Sequence, residues 1–225
     1  MKAFQTNPPN AFTVVELLIV MAAVAILAAM LLPAMYRPRR WHGPNCVNNL
    51  KQIGLAFKLW SGDNGNYPMR VSMTNGGTME MANRGIVFVN FLVMSNELST
   101  PNVLFCPEET DAAKKAAATF EQGFTSTLPF KGDNNVSYFV GVDAEDGLVS
   151  QRLLSGDWNL AVAGVPVKHG LYDVRTNIPL SWARPRHNKG GNIGLADGSV
   201  QQVAASGLQS LLIQTGVATN RLAIP

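Results

Sequence analysis

Residues 12–35 read FTVVELLIVMAAVAILAAMLLPAM, an apolar run of 24 residues that contains a single charged side chain, Glu16. A helix over this run would reach ~36 Å at ~1.5 Å per residue, which exceeds the ~30 Å hydrocarbon core of a membrane. Such a helix is apolar on every side, as helices that face lipid or lie inside a bundle are. The run therefore predicts a transmembrane or assembly helix over residues 12–36.

Glu16 is the exceptional residue of this run. A carboxylate near the centre of an apolar helix costs ~2.5–3.5 kcal/mol in a membrane, somewhat less near a helix end, and is usually functional. A secretory signal peptide and a plain membrane anchor both leave Glu16 unexplained. We expect this carboxylate to have no partner inside its own chain and to find one on another molecule.

The residues around Glu16 carry a family resemblance. Residues 11–18, AFTVVELL, resemble the prepilin processing site of type IV pilins and type II secretion pseudopilins. The resemblance implies that a prepilin peptidase cuts between Ala11 and Phe12 and methylates the new amino terminus, so that residues 1–11 form a leader. The residue before the cut is usually Gly in this family, and here another small residue, Ala11, stands there.

The same resemblance assigns roles within the helix. It implies that Glu16 faces the freed amine of a neighbouring subunit during filament assembly, which offsets the cost of burying the carboxylate. Pro33 stands where pilin-like proteins often carry a proline, which loosens the helix before it. The flanking charges disagree with export: Arg37, Arg39 and Arg40 follow the run, and the positive-inside rule alone would keep the C-terminal part in the cytoplasm. The processing motif is the more specific signal.

A second resemblance lies in the rest of the chain. Residues 46–56 read CVNNLKQIGLA, and His187 is followed by nine residues and then by Asp197-Gly198. Both features are similar to a large group of pseudopilin-like proteins from planctomycete and verrucomicrobial bacteria. An Asp-Gly pair is a strong two-residue turn signal, and we expect His187 to open the hairpin before it.

Periodicity predicts the architecture of residues 37–225, the expected extracytoplasmic globular domain. An apolar stripe at helical spacing after Asn45 predicts a helix packed on an antiparallel sheet, so the fold class is α+β. The resemblance implies that this fold is pilin-like, with the long N-terminal membrane helix before the packed helix. Short apolar runs predict strands or buried segments at residues 85–94, 103–106, 136–142, 153–155, 160–167 and 199–204. We further expect a surface helix over residues 111–121, a hairpin turn at Gly190-Gly191 and a terminal helix from Leu208.

The candidate chemical groups are few. Cys46 and Cys106 could form a disulfide outside the cytoplasm or remain two buried thiols, and export favours the bridge. His187 with Asp197 is weak evidence for a metal or acid–base site, and we expect no metal site, no cofactor and no catalytic residues. Asp143 and its acidic neighbours at 145 and 146 could bind calcium, but an acidic surface turn is the simpler interpretation.

Composition limits the remaining function classes. The chain has 225 residues, 47% of them hydrophobic and 15% charged, with a net charge of +3. Disorder is excluded, and the small scattered positive charge does not predict nucleic-acid binding.

The interpretation we favour is a pseudopilin-like subunit, single-pass in the inner membrane, with its globular domain in the periplasm or on the filament surface. Its partners would be the prepilin peptidase, other pilin subunits, an inner-membrane assembly platform and exported cargo. The alternative is a membrane-tethered module that binds, for example, polysaccharide and does not polymerise.

Overall fold

The computed structural model describes residues 13–35, 43–121, 128–147, 151–183, 187 and 190–225. Contacts divide the chain into two compact units, Met1–Trp41 and His42–Pro225. The expected processing site, Ala11 and Phe12, lies outside the described residues.

In the first unit the structure describes helix α1 (Val14–Met35). Pro33 falls within this helix. Every described side chain from 13 to 28 is exposed to solvent, although nearly all of them are apolar. The helix therefore presents apolar side chains on all of its faces over this length.

The expected membrane localisation needs a correction. Among the residues that the structure describes, no helix is both long and apolar enough to cross a membrane. This finding contradicts the predicted long membrane helix at residues 12–36 and the single-pass inner-membrane localisation.

The second unit is an α+β fold built around an antiparallel sheet. Its helices are α2 (Gly43–Asn64), α3 (Met79–Ala82), α4 (Phe88–Leu92), α5 (Ser95–Leu98) and α6 (Leu208–Gln214). Its strands are β1 (Tyr138–Gly141), β2 (Leu153–Asp157), β3 (Leu160–Val162), β4 (Val165–Pro166), β5 (Gly170–Arg175), β6 (Leu180–Trp182), β7 (Gly190–Leu195), β8 (Val200–Ala204) and β9 (Thr219–Ile224). Short 3₁₀ turns cover Pro68–Arg70, Met73–Asn75, Pro101–Leu104 and Asp133–Asn135.

Six of these strands form the main sheet, in the order β5-β9-β1-β2-β7-β8, and each neighbouring pair is antiparallel. Strands β4, β3 and β6 form a second antiparallel sheet. The long helix α2 packs across β2, β7 and β8. The predicted arrangement of a helix on an antiparallel sheet is thus present in this unit.

The main sheet has a hydrophobic core on each face. Tyr138 and Val140 of β1 belong to the core under α2, whereas Phe139 between them belongs to the core with β6 and α6. This alternation follows from the two-residue period of a strand. Strands β2 and β7 are buried along their whole length because both of their faces are covered.

Two local predictions are wrong and a third is half right. Residues 85–94, predicted as a strand or a buried segment, are buried or partly buried throughout. They contain helix α4 rather than a strand, because Asp133 accepts hydrogen bonds from the amides of Val87 (3.0 Å) and Phe88 (2.6 Å). No helix forms in the described residues 111–121, where the amides of Lys115 and Ala118 bond to distant carbonyls. Gly190-Gly191 begins strand β7 instead of forming a turn.

The helical stripe of α2 supplies the first test. Phe57 is fully buried and makes edge-to-face contacts with Tyr67 at 5.5 Å and Phe91 at 6.0 Å between ring centroids. We expect Phe57→Ala to lower the free energy of unfolding by ~3–5 kcal/mol, because it removes buried area and leaves a cavity. The exposed Leu55 of the same helix is the matched control, and Leu55→Ala should change that free energy by less than ~0.5 kcal/mol. Urea unfolding measures both, and equal effects would contradict the described packing.

Candidate functional site

Helix α1 begins with a capping box. The backbone amide and the hydroxyl of Thr13 each donate to Glu16 Oε2 at 2.9 Å, and the Glu16 amide donates to Thr13 Oγ1 at 3.2 Å. These bonds satisfy amides that a helix start would otherwise leave unpaired. The amide bond and then the hydroxyl bond from Thr13 lower the pKa of Glu16. The expectation that Glu16 has no partner inside its chain is therefore wrong.

A buried polar cluster in the second unit brings together both cysteines and His187. Cys46 lies in the first turns of α2, Cys106 follows the 3₁₀ turn Pro101–Leu104, and His187 precedes β7. Asp157 ends β2 and completes the cluster. Three elements and a loop therefore converge on one point of the core.

The distances within the cluster are short. Cys46 Sγ lies 2.7 Å from Cys106 Sγ, and both residues are free thiols in the structure. Cys106 Sγ lies 3.5 Å from His187 Nε2, which in turn lies 3.3 Å from Asp157 Oδ2. The predicted disulfide partners are thus adjacent, and the bridge itself stays a prediction.

Further polar groups surround these four residues. Glu108 Oε2 lies 3.0 Å from His187 Nδ1 and accepts a hydrogen bond from the His187 amide at 2.9 Å. Asn192 of β7 donates to Asp157 Oδ2 from its backbone amide (2.7 Å) and its side-chain amide (3.0 Å). The side chains of His187 and Asp157 are both 0% exposed. Among the described residues, Asp157 Oδ1 has no hydrogen-bond partner.

The cluster shifts the pKa values of its members. The hydrogen bond between the two sulfurs lowers the pKa of Cys46 to about 6 and raises that of Cys106. Burial acts to lower the pKa of His187, but the hydrogen bonds to Asp157 and Cys46 outweigh it and raise this pKa to about 10. The directions of these shifts favour a negative charge on Cys46 and a positive charge on His187, as contact between groups of opposite charge does.

The two parts of the C-terminal signature, Asp197-Gly198 and His187, have different structural roles. Asp197 and Gly198 lie in the tight turn between β7 and β8, where Asp197 Oδ1 accepts from the Ser199 amide at 2.8 Å and Gly198 has φ +87°. This turn lies against α2, since a Cβ on Gly54 would lie 3.5 Å from Gly198 Cα. His187 does not open the hairpin. It points into the cysteine cluster, and its own backbone has φ +48°, an uncommon value for a non-glycine residue.

The acidic residues after β1 have cationic partners. Arg221 of β9 binds Asp143 with NH2 at 2.6 Å and Nε at 3.0 Å from Oδ1. Asp146 accepts from the Ser61 hydroxyl and lies 3.5 Å from Lys58 Nζ, and Glu145 lies 3.8 Å from Arg70. These contacts support the interpretation of an acidic surface turn.

A cleft of about 590 Å³ lies elsewhere on the second unit, lined by Trp158, Lys114, Asp133 and His169 among others. The indole of Trp158 donates to Glu109 Oε2 at 3.0 Å, and Lys114 Nζ lies 5.2 Å from the centre of its ring. Trp158 is half-buried against the core, so it both packs and forms one wall of the cleft.

Sequence reasoning did not find Asp157, Glu108 and Asn192. The cysteines are 60 residues apart and His187 is 81 residues from the second. No short-range sequence motif therefore predicts the cluster. His187 was singled out only because it begins the signature that ends in Asp197-Gly198.

Comparisons with protein-family models, with curated proteins and with solved structures found no match for this chain.

The Asp143–Arg221 pair supplies the second test. Burial acts to raise the pKa of Asp143, but the hydrogen bonds from Arg221 outweigh it and lower the pKa. The pair thus stabilises the fold above the unfolded-state pKa of ~3.9, and the contribution is lost as pH falls through the lower folded-state pKa. We expect Asp143→Asn to cost ~1–2 kcal/mol at pH ~7 and much less at pH ~3. Urea unfolding of both proteins across this range measures the difference, and a difference independent of pH would contradict the account.

Proposed function

We propose that this chain is a pseudopilin-like subunit, which a prepilin peptidase cuts between Ala11 and Phe12 and which then assembles into a filament through α1. The observation that carries the proposal is the pairing of a capped Glu16 with an exposed apolar helix directly after the processing motif. Assembly brings the α1 helices of neighbouring copies together and removes their apolar side chains from water. The chain acts as a structural subunit and as a substrate of the peptidase.

Exposure of α1 supports assembly through this helix. Val14, Leu18 and Ile19 are each at least 64% exposed, and the other large apolar side chains of α1 up to Leu27 are 50–64% exposed. A helix that is apolar on every face is usually buried. At ~25 cal/mol per Å² of apolar surface removed from water, packing such helices together is a strong driving force. Copies of the same helix supply apolar surface on all sides.

Glu16 supports a defined register between copies. In the single chain its carboxylate is occupied by Thr13 of the same helix start. The proposed cut creates an amine on Phe12, four residues before Glu16. In a filament, that amine on a neighbouring copy is a stronger partner for the carboxylate than the Thr13 hydroxyl, because it is charged.

A binding module is the second candidate function. The cleft at Trp158 favours it, because an aromatic wall beside charged and polar side chains suits a sugar ligand. Whether the chain polymerises distinguishes the two candidate functions, because a binding module does not need the Glu16 carboxylate.

Processing supplies a direct test of the first step. Removal of 11 of the 225 residues should leave a chain of 214 residues that begins with a methylated Phe12. Intact-mass measurement of the protein co-expressed with a prepilin peptidase checks this, and Phe12→Ala is the variant for comparison. An unchanged mass of the wild-type chain in the presence of an active peptidase would contradict the proposal.

Two substitutions separate the capping role of Glu16 from its assembly role. Glu16→Gln keeps a side chain that can accept in a capping box but removes the charge, so α1 should form and filaments should fail. Thr13→Ala removes the cap at a cost of ~1 kcal/mol but keeps the carboxylate, so filaments should persist. Crosslinked filament yield measures assembly, and circular dichroism of the full chain measures helix content.

The reverse pattern would overturn the proposal. Normal filaments from Glu16→Gln would show that assembly does not need the charge pair between Glu16 and the amine. Loss of filaments only in Thr13→Ala would show that Glu16 acts as a helix cap alone. Absence of filaments from the processed wild-type chain would favour the binding module.

A further inference from the structure

The buried cluster has the composition of a metal site and has no part in the filament role. Cys46, Cys106 and His187 each offer one ligand atom, and these three atoms lie within 4.8 Å of one another. We propose that these three side chains bind one zinc ion. Asp157 Oδ2 lies 3.3 Å from His187 Nε2 but outside this group of three, and a shift of its carboxylate towards the sulfurs would supply the fourth ligand. This inference goes beyond the proposed filament function and does not depend on it.

The observed separations fit a tetrahedral site at two of the three measured pairs. With zinc–sulfur and zinc–nitrogen distances of ~2.3 Å and ~2.0–2.1 Å, a sulfur and a nitrogen ligand lie ~3.5 Å apart, and a nitrogen and an oxygen ligand ~3.3 Å apart. Cys106 Sγ and His187 Nε2 are 3.5 Å apart, and His187 Nε2 and Asp157 Oδ2 are 3.3 Å apart.

The sulfur pair requires a small movement. Two sulfur ligands of one zinc ion lie ~3.8 Å apart, whereas Cys46 Sγ and Cys106 Sγ are 2.7 Å apart. Rotation of one cysteine side chain away from the other provides this separation.

The donor set selects the metal. Two thiolates and an imidazole suit zinc, whereas calcium and magnesium take oxygen ligands. Zinc binding displaces two protons from the three side chains, which leaves both sulfurs as thiolates and His187 Nε2 unprotonated towards the metal. Two thiolates and the Asp157 carboxylate carry three negative charges against the two positive charges of the ion, and the two hydrogen bonds from Asn192 to Asp157 help to stabilise the remaining negative charge.

The surroundings of the ligands match those of metal-bound histidines and carboxylates. The second ring nitrogen of a metal-bound histidine usually faces a carboxylate or carbonyl. His187 Nδ1 lies 3.0 Å from Glu108 Oε2, and a small rotation of the ring or the carboxylate would align the two atoms for the hydrogen bond that the present geometry does not form. Asn192 holds Asp157 by two hydrogen bonds to Oδ2. The other oxygen, Asp157 Oδ1, is buried and has no hydrogen-bond partner among the described residues.

A disulfide is the competing state of the two cysteines. It would bond Cys46 to Cys106 but leave His187 and Asp157 as a buried ion pair beside two sulfurs that carry no charge. Zinc uses all four side chains. Four protein ligands close the coordination sphere, so the ion is structural and links α2, β2 and the segments that carry Cys106 and His187.

The first experiment measures zinc and thiols in the full-length chain, grown with zinc and purified without chelator or reductant. We expect about one zinc per chain by elemental analysis, and two free thiols after denaturation with a chelator. Cys106→Ser and His187→Gln should each lose most of the zinc. His169→Gln is the matched control, because this exposed histidine pairs with Asp133 outside the cluster, and it should keep the zinc.

A substitution of Glu108, which lies beside the ligand His187, tests the site without removing a ligand. We expect Glu108→Gln to weaken zinc binding by ~10–100-fold in competition with a chelator, because the carboxylate orients the His187 ring. The neighbouring Glu109→Gln is the control, since Glu109 bonds to Trp158, and its zinc affinity should stay that of the wild type. Equal affinities in the two variants would overturn the assigned role of Glu108.

Cobalt supplies a measurement on the wild-type chain alone, which covers the case in which a ligand variant fails to fold. Cobalt(II) added to the zinc-free reduced protein should give thiolate charge-transfer bands and the intense visible bands of a tetrahedral ion. Absence of these bands would overturn the proposal. So would a purified chain that contains no zinc, whether its cysteines are bridged or both free.

Discussion

The globular unit depends on how it accommodates a buried carboxylate. Asp157 is 0% exposed at the end of a central strand, and an unpaired charge at such a position costs several kcal/mol. Asn192 of β7 and His187 both reach this carboxylate, which ties the register of β2 and β7 to the segment before β7. Cys46 joins α2 to the same point. The helix that covers the sheet is therefore held in place by polar contacts as well as by the apolar core.

The sequence predicted those parts of the fold whose signal is local. The stripe of α2, the Asp197-Gly198 turn and the terminal helix follow from periodicity and turn chemistry. The expected strand at 85–94 and helix at 111–121 failed because distant groups decide them. Asp133 caps α4 from 45 residues away in the chain, and the amide of Lys115 bonds to the carbonyl of Asn134. Tertiary contacts of this kind override local propensity.

For the candidate sites, too, the sequence predicted the features with a local signal and missed the contacts that the fold creates. Glu16 was found because a charge in an apolar run is conspicuous, but its bonds to Thr13 were missed although a capping box is a local motif. The cysteines and His187 were each singled out, yet their convergence was not, because the three lie on separate elements. Asp157 carried no signal, since an aspartate after a glycine is usual in turns. Only the topology of the sheet brings it beside His187.

X-ray absorption at the zinc edge of the purified full-length protein tests the account most directly, because it reports the ligands without any substitution. The account predicts two sulfur ligands at ~2.3 Å together with nitrogen and oxygen ligands at ~2.0–2.1 Å. A zinc spectrum with light ligands alone would contradict it. A sulfur-edge spectrum that shows the two cysteines bonded to each other would contradict it as well.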